Sequence, residues 1–197
     1  MPIIWCTAST KPTTCVCGSA RWRTALEKGV LPWALDGVDL GNDALEIGPG
    51  PGLTTDVLRT KVDKLTCLEI DPKLASKLEA RMGDTNVTVV EGDATSMPCE
   101  DAQFSGAVCL TMLHHVPTPE GQNQLFSEVH RVLQPGGMFA GIDSTPSWRW
   151  NLAHLFDIRN PVDPETLPGR LETAGFVDVM VERSPRGGFR FRASKTG

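Results

Sequence analysis

The chain has 197 residues, a formal net charge of −5 and an apolar content of 40%. These values favour one domain that buries a real core, and they argue against binding to the phosphates of duplex nucleic acid. No apolar run approaches the roughly 18 residues that a membrane span needs. Residues 1–11 lack the pattern of a secretory signal, so we expect a cytoplasmic protein that does not enter the membrane.

Six cysteines are spread along the chain rather than grouped at metal-ligand spacings. Because no secretory signal is predicted, we interpret all six as reduced thiols. Cys15 and Cys17 form the one suggestive pair, but further ligands are missing nearby, so an ordinary segment is favoured over a metal or arsenic site. We predict no metal, since no carboxylate cluster follows the fourth and fifth predicted strands.

The hydrophobic pattern divides the chain into two parts. Residues 1–40 are predicted to form an N-terminal helical leader, with a short helix over 20–28 and a helical turn over 31–35. In residues 41–197 strands alternate with helices, which indicates a mainly parallel sheet with right-handed crossovers. The predicted strands are 44–47, 65–70, 87–90, 104–110, 138–142, 176–181 and 188–193. The predicted helices are 53–58, 72–82, 119–133 and 167–174.

A glycine-rich turn follows the first predicted strand. Glycines let the backbone come close to a ligand, and an acid at the end of the next strand suits a ribose diol. Glu69 is that acid, 19 residues after Gly50. A dinucleotide fingerprint would need glycine at position 53, but Leu53 stands there and the third glycine is Gly52. This spacing makes a nicotinamide oxidoreductase a distant alternative.

The pattern E-x-G-x-G-x-G of Glu46, Gly48, Gly50 and Gly52 resembles motif I of class I S-adenosylmethionine-dependent methyltransferases. The resemblance runs from about position 22 to the C-terminus and is sharpest over 44–143. It implies an α/β fold, a Rossmann-like doubly wound seven-stranded sheet with an antiparallel C-terminal strand. It also implies S-adenosylmethionine as cofactor and S-adenosylhomocysteine as product. By analogy, the leader would cover the cofactor pocket.

The resemblance assigns parts of the cofactor to strand ends. The three glycines would admit the methionine part, whose carboxylate would face the helix 53–58 and whose ammonium end Glu46 would reach. Glu69 would hold both ribose hydroxyls; Asp71 competes for that role but better suits a helix N-cap. Asp93 would accept a hydrogen bond from the adenine amino group, and the Ala94 N–H would bind the ring. The expected cofactor-binding residues are Glu46, Gly48, Gly50, Gly52, Glu69, Ile70, Asp93, Ala94, Leu110 and Thr111.

The segment 111–117 follows the fourth predicted strand and resembles the L-H-H segment of small-molecule methyltransferases. His114 and His115 are candidate general bases because histidine titrates near neutral pH, and we favour His115. The alternative is that one histidine packs against the sheet edge and the other shapes the cofactor pocket. Two further candidates are the pair His154 and Asp157, on a possible lid helix, and Asp143, at the end of the fifth strand.

The remaining hypotheses differ in the molecule that accepts the methyl group. We favour methyl transfer to a small molecule over transfer to RNA or protein, and over a cofactor-binding protein without turnover. The glycine loop also resembles ribosomal RNA adenine dimethyltransferases, but those enzymes carry a proline-aromatic dipeptide after the fourth strand that this chain lacks. The basic C-terminal hairpin would mark an RNA or protein substrate, although a solvated strand face is the simpler interpretation. Its basic residues are Arg183, Arg186, Arg190, Arg192 and Lys195.

Overall fold

A seven-stranded sheet with the strand order β3-β2-β1-β4-β5-β7-β6 forms the centre of the chain. The computed structural model describes residues 24–145, 160–185 and 187–197. Strand β7 is antiparallel to both of its neighbours, β5 and β6, and the other pairs are parallel. The predicted Rossmann-like sheet is therefore confirmed. The strands are β1 Asp43–Ile47, β2 Lys64–Glu69, β3 Val87–Glu91, β4 Phe104–Leu110, β5 Leu133–Asp143, β6 Phe176–Arg183 and β7 Phe189–Lys195.

Helices pack on both faces of the sheet and divide the core into two clusters. One cluster contains apolar residues of α4 and α5, and the other contains residues of α1, α2 and α3. The helices are α1 Leu31–Ala34, α2 Thr55–Leu58, α3 Pro72–Met82, α4 Pro119–Val132 and α5 Leu167–Thr173. A π-helical turn, Leu26–Val30, precedes α1, and a 3-10 turn, Leu113–His115, precedes α4.

The predicted helix starts are confirmed by their capping side chains. The Asp71 carboxylate accepts hydrogen bonds from the backbone N–H groups of Lys73 and Leu74 at the start of α3. Thr118 caps α4 in the same way through the N–H of Gly121. Pro168 lies in the first turn of α5, where a missing N–H costs nothing because the helix has no partner for it there.

Several predicted boundaries are wrong. Strands β6 and β7 each end two residues later than predicted, at Arg183 and Lys195, and two further differences concern α2 and β5. Helix α2 is a single turn over Thr55–Leu58, because residues 51–54 form turns rather than helix. Strand β5 begins at Leu133, directly after α4, and not at Met138. Leu133 pairs with Phe104 and the register then shifts, so the proline-glycine segment lies within the extended strand.

The C-terminal basic residues differ from the predicted solvated face. The side chain of Arg190 is only 16% exposed. Its guanidinium pairs with Glu182 and Asp36, donates to the Trp33 carbonyl and lies 5.4 Å from the centre of the Trp33 ring. Arg192 donates to the Gly37 carbonyl. These arginines therefore fasten the 33–37 segment to β7. The leader before position 24 and Arg186 lie outside the described residues, so the predicted cover over the pocket stays a prediction.

Lys195 also binds backbone groups of the protein itself. Its ammonium donates to the carbonyl oxygens of His130 and Leu133 at 2.8 and 2.7 Å, at the C-terminal end of α4. A cation is favourable there because the last carbonyl groups of a helix carry partial negative charge. Arg183 alone of the described basic hairpin residues extends into solvent, with 56% exposure, and pairs with the exposed Glu165.

Cys67 and Cys109 are buried in β2 and β4, as the strand prediction requires, and burial raises the pKa of both thiols. They fill the core as small apolar side chains. In the described ranges there is no helix with the length and hydrophobicity to cross a membrane.

His130, near the end of α4, makes the stability of the fold depend on pH. Burial and the neighbouring Lys195 ammonium lower the pKa of its imidazole. Because the folded-state pKa is depressed, the stabilisation is complete above the unfolded value of about 6.5 and is lost as pH falls through the folded pKa. We expect thermal unfolding scans of wild type to show a steeper fall in midpoint between about pH 7 and pH 5 than scans of His130→Gln, by about 1–3 °C.

The comparison uses slopes, because His130→Gln also removes an edge-on contact between the imidazole and the Phe176 ring and so lowers the midpoint at every pH. Equal slopes for the two proteins would contradict the assignment of this acid sensitivity to His130.

Candidate active site

The candidate residues meet at the edge of the sheet where the parallel strands end. The strand order reverses between β1 and β4, which is where open α/β sheets bind ligands. The register pairs Ile47 with both Leu68 and Cys109, and Leu110 with Ile142. The segments that follow β1, β2, β4 and β5 therefore lie side by side, as the sequence predicted.

Glu69, the last residue of β2, is 5% exposed and is fixed by backbone groups. Its Oε2 accepts from the Gly50 N–H and its Oε1 from the Asp71 N–H, both at 3.0 Å. A carboxylate has about four acceptor positions, so each oxygen retains one for a further donor. Glu69 therefore joins the glycine loop to the end of β2 and keeps the capacity to accept from two hydroxyl groups.

The three glycines have positive φ angles, +66° at Gly48, +54° at Gly50 and +78° at Gly52, but different surroundings. A β-carbon at position 50 would meet nothing within 4 Å, so only this glycine borders open space. At position 48 it would lie 2.4 Å from the Met112 side chain, and at position 52 it would lie 2.3 Å from Arg81. Gly50 therefore borders open space, whereas the other two glycines allow close packing within the protein, and the prediction that all three admit the ligand stays a prediction.

Glu46 lies beneath the loop rather than at its surface. It is 1% exposed, and its carboxylate accepts hydrogen bonds from the hydroxyls of Thr54 and Thr55, the latter at 2.6 Å. Burial raises the pKa of this carboxyl group, and the two threonine hydrogen bonds oppose the rise. In the described structure Glu46 therefore holds the turn before α2. Its predicted contact with the cofactor's ammonium end stays a prediction.

The residues expected around adenine lie after β2 and β3. Ile70 is 66% exposed, which is unusual for a large apolar side chain and leaves it available to a flat apolar ligand. Asp93 is exposed, and its Oδ1 accepts from the backbone N–H and the hydroxyl of Thr95 at 2.8 and 2.9 Å. Ala94 is half-buried beside it.

The backbone turns sharply after β4. Leu110 is buried, and Thr111 has a φ of +59°, a conformation that is strained for a β-branched residue. The N–H of Thr111 still donates to the Ile142 carbonyl at 2.8 Å, and its hydroxyl donates to the Leu110 carbonyl. Strain of this kind clusters at functional sites, where the surrounding structure imposes it.

His114 and Asp143 form a buried pair, which joins two residues that the sequence treated as separate candidates. The Nδ1 of His114 lies 2.6 Å from Oδ1 of Asp143, and the His114 backbone N–H donates to Oδ2. His114 is fully buried, whereas His115 is half-buried with its ring centre 4.1 Å from that of His114. The sequence could have predicted this pairing, because His114 and Asp143 were both predicted to follow or end adjacent strands.

Gln122 and Asn160 support the segment 111–117, and the sequence analysis did not identify either residue. The Gln122 amide donates to the carbonyls of Leu113 and Asn160, and the Asn160 backbone N–H donates to the His114 carbonyl. Gln122 is 1% exposed and shares the buried stripe of α4 with Leu125. A polar residue on an otherwise apolar stripe was the signal that could have revealed it.

The second candidate pair, His154 and Asp157, lies outside the described residues. Its predicted role stays a prediction.

The fold and the carboxyl-edge site define a class I methyltransferase domain. A family model described as "Methyltransferase domain" matches residues 45–141, which span β1 to β5. Together with the methyltransferase relatives described below, this match supports a class I S-adenosylmethionine-dependent methyltransferase, a class whose cofactor is S-adenosylmethionine.

Individual relatives differ in their acceptors. The chain is 34% identical over 86 residues to 24-methylenesterol C-methyltransferase 2 of Oryza sativa subsp. japonica, covering 44% of this chain and 21% of the relative. It is 35% identical over 124 residues to ribosomal RNA small subunit methyltransferase A of Novosphingobium aromaticivorans, covering 60% and 39%. The chain thus spans less than half of these two proteins.

A solved structure has the same fold. Phosphoethanolamine N-methyltransferase 2 of Haemonchus contortus, in complex with S-adenosyl-L-methionine, superposes with a TM-score of 0.73 at 17% identity. The match covers 89% of this chain and 53% of that one.

Proposed function

We propose that this chain transfers a methyl group from S-adenosylmethionine to an oxygen, nitrogen or carbon nucleophile of a small molecule by direct in-line displacement. The observation that carries the proposal is the state of Glu69: a buried carboxylate, oriented by two backbone N–H groups, with acceptor capacity left for two hydroxyls. It stands beside the one loop glycine that borders open space, Gly50.

The residues fit the cofactor as follows. Glu69 would accept from the two ribose hydroxyls, and the exposed Ile70 would pack against adenine. Asp93 and Ala94 would bind the adenine edge, and Gly50 would allow close approach of the methionine part. The cofactor, when bound, supplies a methyl group on a sulfonium that is already activated, so the protein mainly has to align the acceptor and exclude water.

The chain's own contribution to proton removal would come from the turn after β4. His115 is half-buried next to His114, whose imidazole is held by Asp143. We propose that His115 receives the proton of a phenol or ammonium acceptor, and that His114 and Asp143 hold the turn that carries it. An unprotonated nitrogen acceptor would need alignment only, whereas a carbon acceptor would also have to give up a proton, before or after the transfer.

A small-molecule acceptor is favoured by the use of the basic residues. Arg190, Arg192 and Lys195 bind groups of this chain, so they do not form an open basic face for RNA. The ribosomal RNA methyltransferase relative keeps an RNA acceptor as the second candidate. Against it stand the net charge of −5 and the segment 111–117, which has no proline-aromatic dipeptide.

Calorimetric titration of the chain with S-adenosylmethionine, S-adenosylhomocysteine and NAD tests the proposal. We expect binding of the first two and none of NAD, followed by methyl transfer from radiolabelled cofactor to members of a panel of small phenols, amines and carbon acids. Absence of binding to either sulfur ligand would refute the cofactor assignment. Methyl transfer to RNA but not to the small-molecule panel would establish the second candidate.

A further inference from the structure

Arg81, in the last turn of α3, contacts the glycine loop from outside the predicted cofactor site. Its Nη2 donates to the carbonyl oxygens of Pro51 and Gly52 at 3.0 and 2.8 Å. Its Nη1 donates to the Asp56 carboxylate on α2 at 2.7 Å. One guanidinium thus joins the loop to the helical turn that follows it, across 25 to 30 residues of sequence.

The loop needs such contacts because its backbone is unusually free. Three glycines at alternate positions lose more conformational entropy on ordering than other residues would. Helix α2 is only one turn long, so it adds little rigidity of its own. Glu69 fixes the Gly50 N–H, and Glu46 fixes the threonine hydroxyls at the start of α2, but neither binds the carbonyl groups of the loop.

Gly52 and Arg81 fit each other closely. A β-carbon at position 52 would lie 2.3 Å from Nη2 of Arg81 and 2.3 Å from Cδ1 of Leu78, so a side chain there would displace the guanidinium. The third glycine of the motif therefore serves contact with α3. A lysine could not replace the arginine, because the planar fork makes several hydrogen bonds in fixed directions and an ammonium does not.

We propose that Arg81 is a positioning residue for cofactor binding, which holds the loop 48–52 and α2 in the binding conformation without touching the cofactor. The inference rests on the proposed function. Loss of the guanidinium would let the loop sample conformations that do not bind, and the apparent affinity would fall by the fraction of molecules in the competent state.

The test measures S-adenosylhomocysteine affinity by calorimetry for wild type, Arg81→Met, Arg81→Lys and Lys77→Met. Lys77 is exposed on the same helix, so its replacement is the matched control for loss of one positive charge. We expect Arg81→Met to raise the dissociation constant about tenfold, Arg81→Lys to recover little of the loss, and Lys77→Met to change it less than about twofold.

A second readout separates positioning from general stability. The Arg81 side chain is 40% exposed, so its replacement is expected to leave the unfolding midpoint within about 2 °C of wild type. Amide hydrogen exchange should accelerate in the 48–56 segment and not elsewhere in the sheet. Wild-type affinity in Arg81→Met, or equal weakening by Lys77→Met, would overturn the inference. If wild type itself does not bind S-adenosylhomocysteine, the proposed function fails instead.

Discussion

Replacement of Glu69 by glutamine is expected to weaken S-adenosylmethionine binding by about 100-fold or more. The carboxylate would accept two ribose hydroxyls, and hydrogen bonds to a charged group are worth about 1.5–3 kcal/mol each. Glutamine keeps the shape, but one oxygen becomes an NH₂ group. That group would face the N–H of Gly50 or Asp71, since both carboxylate oxygens accept from the backbone. The variant would therefore lose affinity directly and also disturb the loop.

Asp71→Asn is the matched control, because Asp71 is the neighbouring acid that the sequence offers as the alternative to Glu69 for binding the ribose hydroxyls. Asparagine caps helices as well as aspartate does, so α3 should be retained while the charge is lost. We expect calorimetry to give a near wild-type dissociation constant for Asp71→Asn. The opposite result, strong loss with Asp71→Asn and little with Glu69→Gln, would transfer the ribose role to Asp71.

The sheet and the positions of most of its strands were predictable because the signals are local. Buried parallel strands appear as short apolar runs, and Asp71 and Thr118 mark helix starts by their own capping chemistry. The start of β5 was misjudged because Pro135, Gly136 and Gly137 suggested a break between α4 and the strand. The structure instead extends β5 back to Leu133, since Leu133 pairs with Phe104 on the neighbouring strand. A long-range pairing of this kind overrides local turn residues.

The candidate site likewise combines features that local sequence predicts with contacts that depend on long-range packing. Glu69 and Gly50 follow from spacing within one strand–loop–strand unit, and they do meet. The contacts of Arg81 with Gly52, and of His114 with Asp143, join residues about 30 positions apart. They depend on how α3 packs and on which strands are adjacent. Sequence identified the individual candidates at the strand ends, and three-dimensional packing determined their partners.

The buried pair of His114 and Asp143 leads to the second large effect. Asp143→Asn is expected to lower the free energy of unfolding by about 2–4 kcal/mol, because every acceptor position used by Asp143 faces an N–H donor. Oδ1 accepts from the Ser144 N–H as well as facing the His114 ring, and Oδ2 accepts from the His114 N–H. An NH₂ group in either position would leave donors facing each other in a site that is 2% exposed.

Thermal unfolding should report a midpoint lower by about 5–12 °C for Asp143→Asn, against no measurable change for Asp178→Asn, whose exposed aspartate has a φ of +51° that asparagine tolerates. In a His114→Phe background the effect should shrink but not vanish, since two backbone donors remain.

At temperatures where Asp143→Asn is still folded, its rate of methyl transfer should be at least tenfold lower than that of wild type, while its affinity for S-adenosylhomocysteine stays within about twofold. That separation follows from position: Asp143 supports the turn after β4, where the acceptor would lie, whereas Glu69 and Gly50 form the cofactor side. A parallel loss of cofactor affinity would refute this division of the site.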